Sequence, residues 1–423
     1  MSGQGSWSRG VAGVPGGAPA DRDALAARLD RALTSYGAGG RARPVVVVDL
    51  DAFEANAADL VRRAGGTPVR VASKSVRVPG LLRRALAVPG CRGVLAYTVR
   101  EALWLVHEGV TDDVLVAYPS TDVDALADLA GDADAAAAVT VMVDDPAHLA
   151  MLDEARSGHD APAVLRVALD LDAGLLAPGW RLGPRRSPLR STADALSLGR
   201  AVLGRPGLRL VGAMTYEGLV AGLGDDVAGN PPRTALLRGL QAANVRQLGR
   251  RRRRVAVALA RAGARLELWN AGGTGSLETS AADPVVTEVA AGSGLLAPAL
   301  FDHYRAFAPR PAAFLGLPVT RRPDGSTATV HGGGYVASGA AGRDRLPVPW
   351  APAGLALTAS EGAGEVQTPL TGPGAADLAV GDTVWFRHAK AGELVEHVGE
   401  VLLVRGDVVV GAEPTYRGRG LVF

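Results

Sequence analysis

Lys74 closes an apolar run, Val69-Arg70-Val71-Ala72-Ser73, whose length and composition suit a buried strand. A lysine amine presented from a strand end can condense with a carbonyl to form a Schiff base. Three other segments carry residue types of the same kind. Gly272-Gly273-Thr274-Gly275-Ser276 and Ala291-Gly292-Ser293-Gly294 are glycine-rich turns in which backbone N–H groups and a hydroxyl can approach a phosphate closely. His388-Ala389-Lys390 sets an imidazole and an ammonium two residues apart, so both lie on one side of an extended strand.

These groups have to be held by a scaffold, and the hydropathy pattern describes one. Apolar, β-branched runs occur at Val45–Asp51, Val69–Ser75, Gly93–Thr98, Asp113–Pro119, Val139–Asp145, Ala163–Asp172, Arg209–Glu217 and Leu266–Gly273. The intervening segments are long enough for helices, as in Ala52–Ala64, Leu81–Ala87 and Arg100–His107. Near-continuous apolar strands alternating with helices imply a parallel sheet covered on both faces. Eight such units predict an α/β fold, a (β/α)8 TIM barrel, with Lys74 on its second strand and chemistry at the carboxyl ends of the strands. Phosphate sites in such barrels favour the loops after strands seven and eight.

Beyond the barrel, Ala328–Tyr335, Asp382–His388 and Val398–Val410, separated by Gly and Pro, read as short antiparallel strands. The expected organisation is a disordered tail over 1–20, an amphipathic helix within 21–43 carrying Leu25, Leu29 and Leu33, a barrel over 44–315 and a smaller β domain over 316–423.

The order of these motifs, with Lys74 in Ala72-Ser73-Lys74-Ser75, then Tyr216 and Gly218, then Gly272-Gly273-Thr274-Gly275, then a β-rich end, resembles the fold-type III pyridoxal-phosphate enzymes. Within them it is similar to the D-threonine aldolase and D-serine dehydratase-like branch of the alanine racemase superfamily, of the kind described as amino acid deaminase/aldolase. The resemblance runs from about Arg43 to the end of the chain. It implies pyridoxal 5'-phosphate held on Lys74, Tyr216 along the cofactor ring, and Gly273, Thr274, Gly292, Ser293 and Gly294 around the phosphate. It also implies a homodimer, and a lyase acting on a β-hydroxy D-amino acid by retro-aldol cleavage or by dehydration and deamination.

Two departures from the family pattern stand out. In the branch, a histidine, one spacer and then a cysteine or aspartate hold a divalent metal; here the histidine is His388 and the second position is Lys390. An ammonium does not ligate a cation and repels it at short range. Lys390 therefore either stands in for the metal at the substrate β-oxygen with His388 as acid or base, or Glu393 or His397 rebuilds a displaced metal site, or the β-hydroxyl chemistry is lost. A solvent-facing strand would show the same alternation. The second departure is a long segment after strand six, in which Arg181 and Arg186 are both candidates for contact with the cofactor or a substrate carboxylate.

Two alternatives compete with a lyase. A racemase or epimerase of the same fold needs an acid–base residue on each cofactor face, for which Tyr335 or Tyr416 is available. A non-catalytic pyridoxal-phosphate carrier would leave the C-terminal hundred residues without a role.

Composition narrows the partners. With 45 basic and 43 acidic residues, no extended basic face for nucleic acid or anionic membrane is expected. The pentad Arg250–Arg254 reads as a solvated or oligomer-contacting helix surface. Cys91 is the one cysteine, which excludes an internal disulfide and a cysteine-based zinc site and suits a reducing cytoplasm. No apolar stretch reaches membrane-spanning length, and the start lacks a secretory apolar segment.

Overall fold

The structure is a computed structural model that describes residues 17–37, 43–226 and 230–423. Most of the expected tail lies outside the described residues, but its last four positions, 17–20, do not. Pro19 and Ala20 open the helix Pro19–Tyr36, with the proline in the first turn where its missing N–H costs nothing. That helix buries Ala26, Leu29 and Leu33 against Val45, Val47, Phe314, Trp350 and Trp385, so it packs on the C-terminal sheet.

Eight parallel strands close a barrel, as the alternating pattern predicts. They are Val69–Ala72, Cys91–Ala96, Val114–Pro119, Val139–Val143, Leu165–Asp170, Leu208–Thr215, Leu268–Ala271 and Glu288–Ala291. Two memberships differ from the expectation. The run beginning at Val45 forms Val45–Asp49, which pairs antiparallel with Ala313–Gly316 and parallel with Leu402–Val404 in the C-terminal sheet. Lys74 accordingly follows the first barrel strand, not the second.

The cause is physical. Val45 and Val47 face the N-terminal helix while Val46 and Val48 face the main core, so this strand is covered on both sides like a barrel strand. The true eighth strand, Glu288–Ala291, is only four residues long and opens on a charge. Glu288 points into the lumen, where Arg70 grips both its oxygens at 2.7 Å and Asn270 donates to it at 2.8 Å. Leu115, Met142, Ala168, Met214 and Leu268 fill the apolar layer of the lumen.

The C-terminal sheet is built from Ala313–Asp324 with its antiparallel partners Thr327–His331 and Thr383–Arg387, together with the hairpin Glu400–Arg405 and Val408–Pro414. That hairpin is the expected run Val398–Val410, divided by Gly406 at φ 57°. Among the described residues no helix is long and apolar enough to cross a membrane.

Candidate active site

A cavity of about 280 Å3 opens at the carboxyl ends of the barrel strands. Lys74 reaches it from a single 3-10 turn, Ser73–Ser75, that follows the first strand. Its ammonium donates to the Tyr118 hydroxyl at 2.8 Å. Burial alone would raise the Tyr118 phenol, but the charge and hydrogen bond of Lys74, with Arg186 nearby, outweigh it and leave the phenol below its ordinary value.

The turn bearing Lys74 is clamped from both sides. Arg77, in the left-handed region at φ 52°, donates through Nε to the Lys74 carbonyl at 2.9 Å and pairs with Glu396 at 2.7 Å. From the C-terminal sheet domain, Gly392 at φ 96° lies so close that a Cβ would strike the same carbonyl. Beneath the turn, Glu101 is fully buried and accepts hydrogen bonds from the Tyr97 N–H and the Tyr416 hydroxyl, each at 2.8 Å. Burial pushes the Glu101 carboxyl up to about 7, against those hydrogen bonds.

Across the barrel seam the two glycine turns meet. Gly273, Thr274, Gly292 and Ser293 line the cavity, and the Thr274 and Ser293 hydroxyls stand 3.3 Å apart. A Cβ on Gly292 would collide with the Ala72 carbonyl, so only glycine permits the approach of this turn to the lysine strand. Gly294 supports rather than lines the pocket: its N–H donates to Thr274 Oγ1 at 3.1 Å. Arg63, buried and paired with Glu278 at 2.6 Å, fixes the Thr274 carbonyl at 2.8 Å. Glycine backbone and two hydroxyls at the ends of strands seven and eight suit a phosphate. Together with a lysine ammonium in the same cavity, the residues present fit a phosphorylated aldehyde.

The two arginines after the sixth-strand candidate separate cleanly. Arg181 turns away from the cavity and binds Asp172 and the Pro184 carbonyl. Arg186 lines the cavity, its guanidinium 4.7 Å over the Tyr216 ring and 5.9 Å over that of Tyr118. Tyr216 also lines the cavity, at the end of the sixth barrel strand.

The arginine pentad is not a uniformly solvated face. Arg252 is buried, donating to Thr215 Oγ1 at 2.9 Å and pairing with Glu217 and with Asp283 at 3.2 Å. Arg251 donates to the Asp172 carbonyl. Consecutive helix positions point around the axis, and two of the five happen to face buried acceptors.

The His388–Lys390 pair is split by the fold. Arg387, immediately before it, is buried in a two-point pair with Asp302 at 2.8 and 2.9 Å. His388 is buried and does not line the cavity, and neither ring nitrogen has a partner of normal geometry among the described residues. Burial, and then the Arg387 charge, lower it to about 3, with the Ala313 backbone opposing weakly. The acid–base or metal role expected of His388 therefore has no access to the cavity. Lys390 does reach it, donating to Ser338 Oγ at 3.0 Å. Burial lowers its ammonium; Glu393 opposes this, and Lys74 and Arg345 add to it.

Glu393 accepts the Ser338 N–H at 2.8 Å and His397 stacks on Tyr335 with centroids 4.5 Å apart. Among the described residues, no group of three or more His, Cys, Asp or Glu is arranged to hold a metal. Tyr335 and Tyr416, considered for the second cofactor face, are not among the cavity-lining residues.

Sequence reasoning missed Tyr118, Asn270 and Arg345, all of which line the cavity. Tyr118 and Asn270 lie within barrel strands near their carboxyl ends, a position that does signal function. Arg345, from a loop of the C-terminal domain, carries no such signal.

Residues 48–297 match the family of the alanine racemase N-terminal domain. A D-threonine aldolase from Arthrobacter sp is 30% identical over 254 residues, a match covering 59% of this chain and 60% of that protein. The match thus spans three-fifths of the length of that curated relative. The crystal structure of D-threonine aldolase from Filomicrobium marinum superposes with a TM-score of 0.75 at 24% identity, covering 90% of this chain and 96% of that one. D-threo-3-hydroxyaspartate dehydratase from Delftia sp. HT23 gives 0.67 at 21% identity, covering 88% and 97%. Both likenesses are of fold.

Proposed function

The chain belongs to the family of the alanine racemase N-terminal domain, and on that premise we propose that it is a pyridoxal-phosphate-dependent lyase acting on a β-hydroxy D-amino acid. The observation that carries the reading is the placement of Lys74, at a barrel strand end and in one cavity with two hydroxyl-bearing glycine turns. The partial match to D-threonine aldolase supports the reaction class.

In this reading Lys74 would hold the cofactor through its amine, and Gly273, Thr274, Gly292 and Ser293 would hold its phosphate. The bound cofactor supplies an electron sink for charge developing at the substrate α-carbon. Lys74 moves the proton at that carbon, and Tyr118 holds the lysine amine in place between transfers. Arg186 and Tyr216 orient the ring, while Phe301, packed on Tyr304 and Phe307, keeps one wall dry.

Lys390 takes the place of a metal at the β-oxygen: as the neutral amine, which burial favours, it would take the β-hydroxyl proton as Cα–Cβ breaks, and as the ammonium it would protonate the oxygen as hydroxide leaves. A racemase is less well supported, because Tyr335 and Tyr416 are engaged elsewhere. A bare carrier would not need Lys390 and Arg345 brought to the cavity from a second domain. The same reading includes a homodimer in the cytoplasm, for which sedimentation of the purified protein is the direct check.

The test is the visible spectrum of the wild type and of Lys74→Ala, before and after borohydride, followed by β-hydroxy D-amino acids with and without EDTA. The expected outcome is an absorbance trapped by borohydride and lost in the variant, with turnover that EDTA leaves intact. A colourless wild type that does not reconstitute with pyridoxal phosphate refutes the proposal.

A further inference from the structure

Among the described residues, those lining the cavity include four cations, Lys74, Arg186, Arg345 and Lys390, and no aspartate or glutamate. The proposed chemistry uses Lys74 for the Schiff base, Arg186 beside the ring and Lys390 at the β-oxygen. Arg345 is left over. Among the described residues its Nε is buried without a hydrogen-bond partner, and its guanidinium pairs with only the flanking carboxylate of Asp344, at 3.3 Å.

That position is built rather than accidental. The Arg345 carbonyl accepts the Ala337 N–H at 2.8 Å, closing a loop in which Gly339, at φ 126°, leaves room for the guanidinium. Ser338, on the same loop, receives the Lys390 ammonium and returns its own N–H to Glu393. Glu393 is thereby tied to backbone, and Lys390 directs N–H donors at the Ser338 hydroxyl at 3.0 Å and, more weakly, at the Ser338 carbonyl at 3.5 Å, which leaves it a third. Two cationic heads from the C-terminal domain thus face the same space as Lys74 with donors to spare.

A partly desolvated cationic pocket is matched by a planar anion that the guanidinium can bind through two N–H groups. We propose that Arg345, seconded by Lys390, forms a carboxylate site for the substrate side chain. This rests on the lyase reading and deepens it: the preferred substrate is a β-hydroxy amino acid whose side chain itself ends in a carboxylate. Arg345 is then the specificity residue, and the reaction that consumes the product has to accept a dicarboxylate skeleton or its cleaved acidic fragment.

The experiment compares kcat/KM for 3-hydroxyaspartate and for threonine, both as D-isomers, in the reconstituted wild type, Arg345→Gln and Arg345→Lys. Alongside it, isothermal titration measures binding of unreactive succinate and butyrate to the same proteins. Loss of one charge-assisted contact predicts that Arg345→Gln lowers kcat/KM for the acidic substrate roughly 10- to 100-fold more than for threonine. Arg345→Lys should recover part of that difference. Succinate should bind the wild type more tightly than butyrate, and the gap should close in Arg345→Gln.

Equal losses on both substrates would mean that Arg345 holds the α-carboxylate, and a wild type that prefers threonine would mean that the side-chain site does not exist; either overturns the inference while leaving the lyase standing. If no β-hydroxy D-amino acid turns over, the lyase reading fails. The titration then still decides whether Arg345 holds a dicarboxylate, and equal affinity for succinate and butyrate refutes the site.

Discussion

Replacing Arg252 with methionine tests whether the arginine pentad matters through its burial. The Arg252 side chain is 2% exposed, and Glu217 is 3% exposed. The substitution keeps an unbranched apolar stem but removes the guanidinium, with its pairs to Glu217 and Asp283 and its hydrogen bond to Thr215. Asp283, at 11% exposure, can recover some hydration, whereas Glu217 cannot: among the described residues one oxygen keeps only the Ser280 hydroxyl at 3.0 Å and the other has no partner. Breaking a buried pair by removing one member costs about 3 to 5 kcal/mol, most of it from the stranded charge. Arg252→Met should therefore lower unfolding stability by that amount in urea denaturation followed by circular dichroism. Neutralising the stranded partner in Arg252→Met/Glu217→Gln should return about 1 to 3 kcal/mol, the cost of an uncompensated buried polar group. A single variant within about 0.5 kcal/mol of wild type, the range of an ordinary surface change, would refute the reasoning, as would a double variant no more stable than the single one. Glu217 directly follows Tyr216, so the same variants should also disturb the cavity wall.

Two further outcomes follow from the lysine turn. Burial raises the Glu101 carboxyl from 4.5 to about 7, so folding favours its protonated form; its contribution is present in full below about pH 4.5 and is lost as pH rises through 7. Glu101→Gln should accordingly flatten the fall in melting temperature between pH 5 and pH 8, and an unchanged slope would count against the assignment. Tyr118→Phe removes the hydroxyl that receives the Lys74 ammonium and should lower kcat roughly 10- to 100-fold, with a displaced alkaline limb in the pH–rate profile; a variant with wild-type rate and profile would show that the phenol is a bystander.

What the sequence made legible was chemistry carried on regular structure. Lys74 and both glycine turns could be read because strand ends and glycine spacing impose them locally, and Tyr216 through the family resemblance. His388 could not be judged that way: whether a histidine after a strand faces a cavity or a core depends on the side of the sheet that is covered, and Arg387 with Asp302 fixes that through contacts 85 positions apart. Arg252 and Arg345 were hidden for related reasons. The first sits in a run of charge whose helical phase relative to the barrel no local pattern records, and the second arrives on a loop whose path is set by packing between the domains.

The miscounted strand has the larger consequence. An apolar run covered on both faces reads alike whether its neighbours are parallel barrel strands or a mixed sheet. Counting from Val45 put Lys74 on the second strand, one place from the seam. With Val45–Asp49 assigned to the C-terminal sheet and Glu288–Ala291 in its place, the barrel closes by pairing the last strand with the lysine strand, Val289 beside Val69 and Ala291 beside Val71. The residue after each of those paired strand ends turns toward the same space, so closure itself sets Gly292 and Ser293 next to Ser73 and Lys74. That juxtaposition explains why Gly292 tolerates no Cβ against the Ala72 carbonyl. It also means that the turn proposed to cradle a phosphate and the lysine proposed to carry the cofactor need no long-range positioning device in this fold. They are neighbours because the first and last strands of a closed parallel barrel are neighbours.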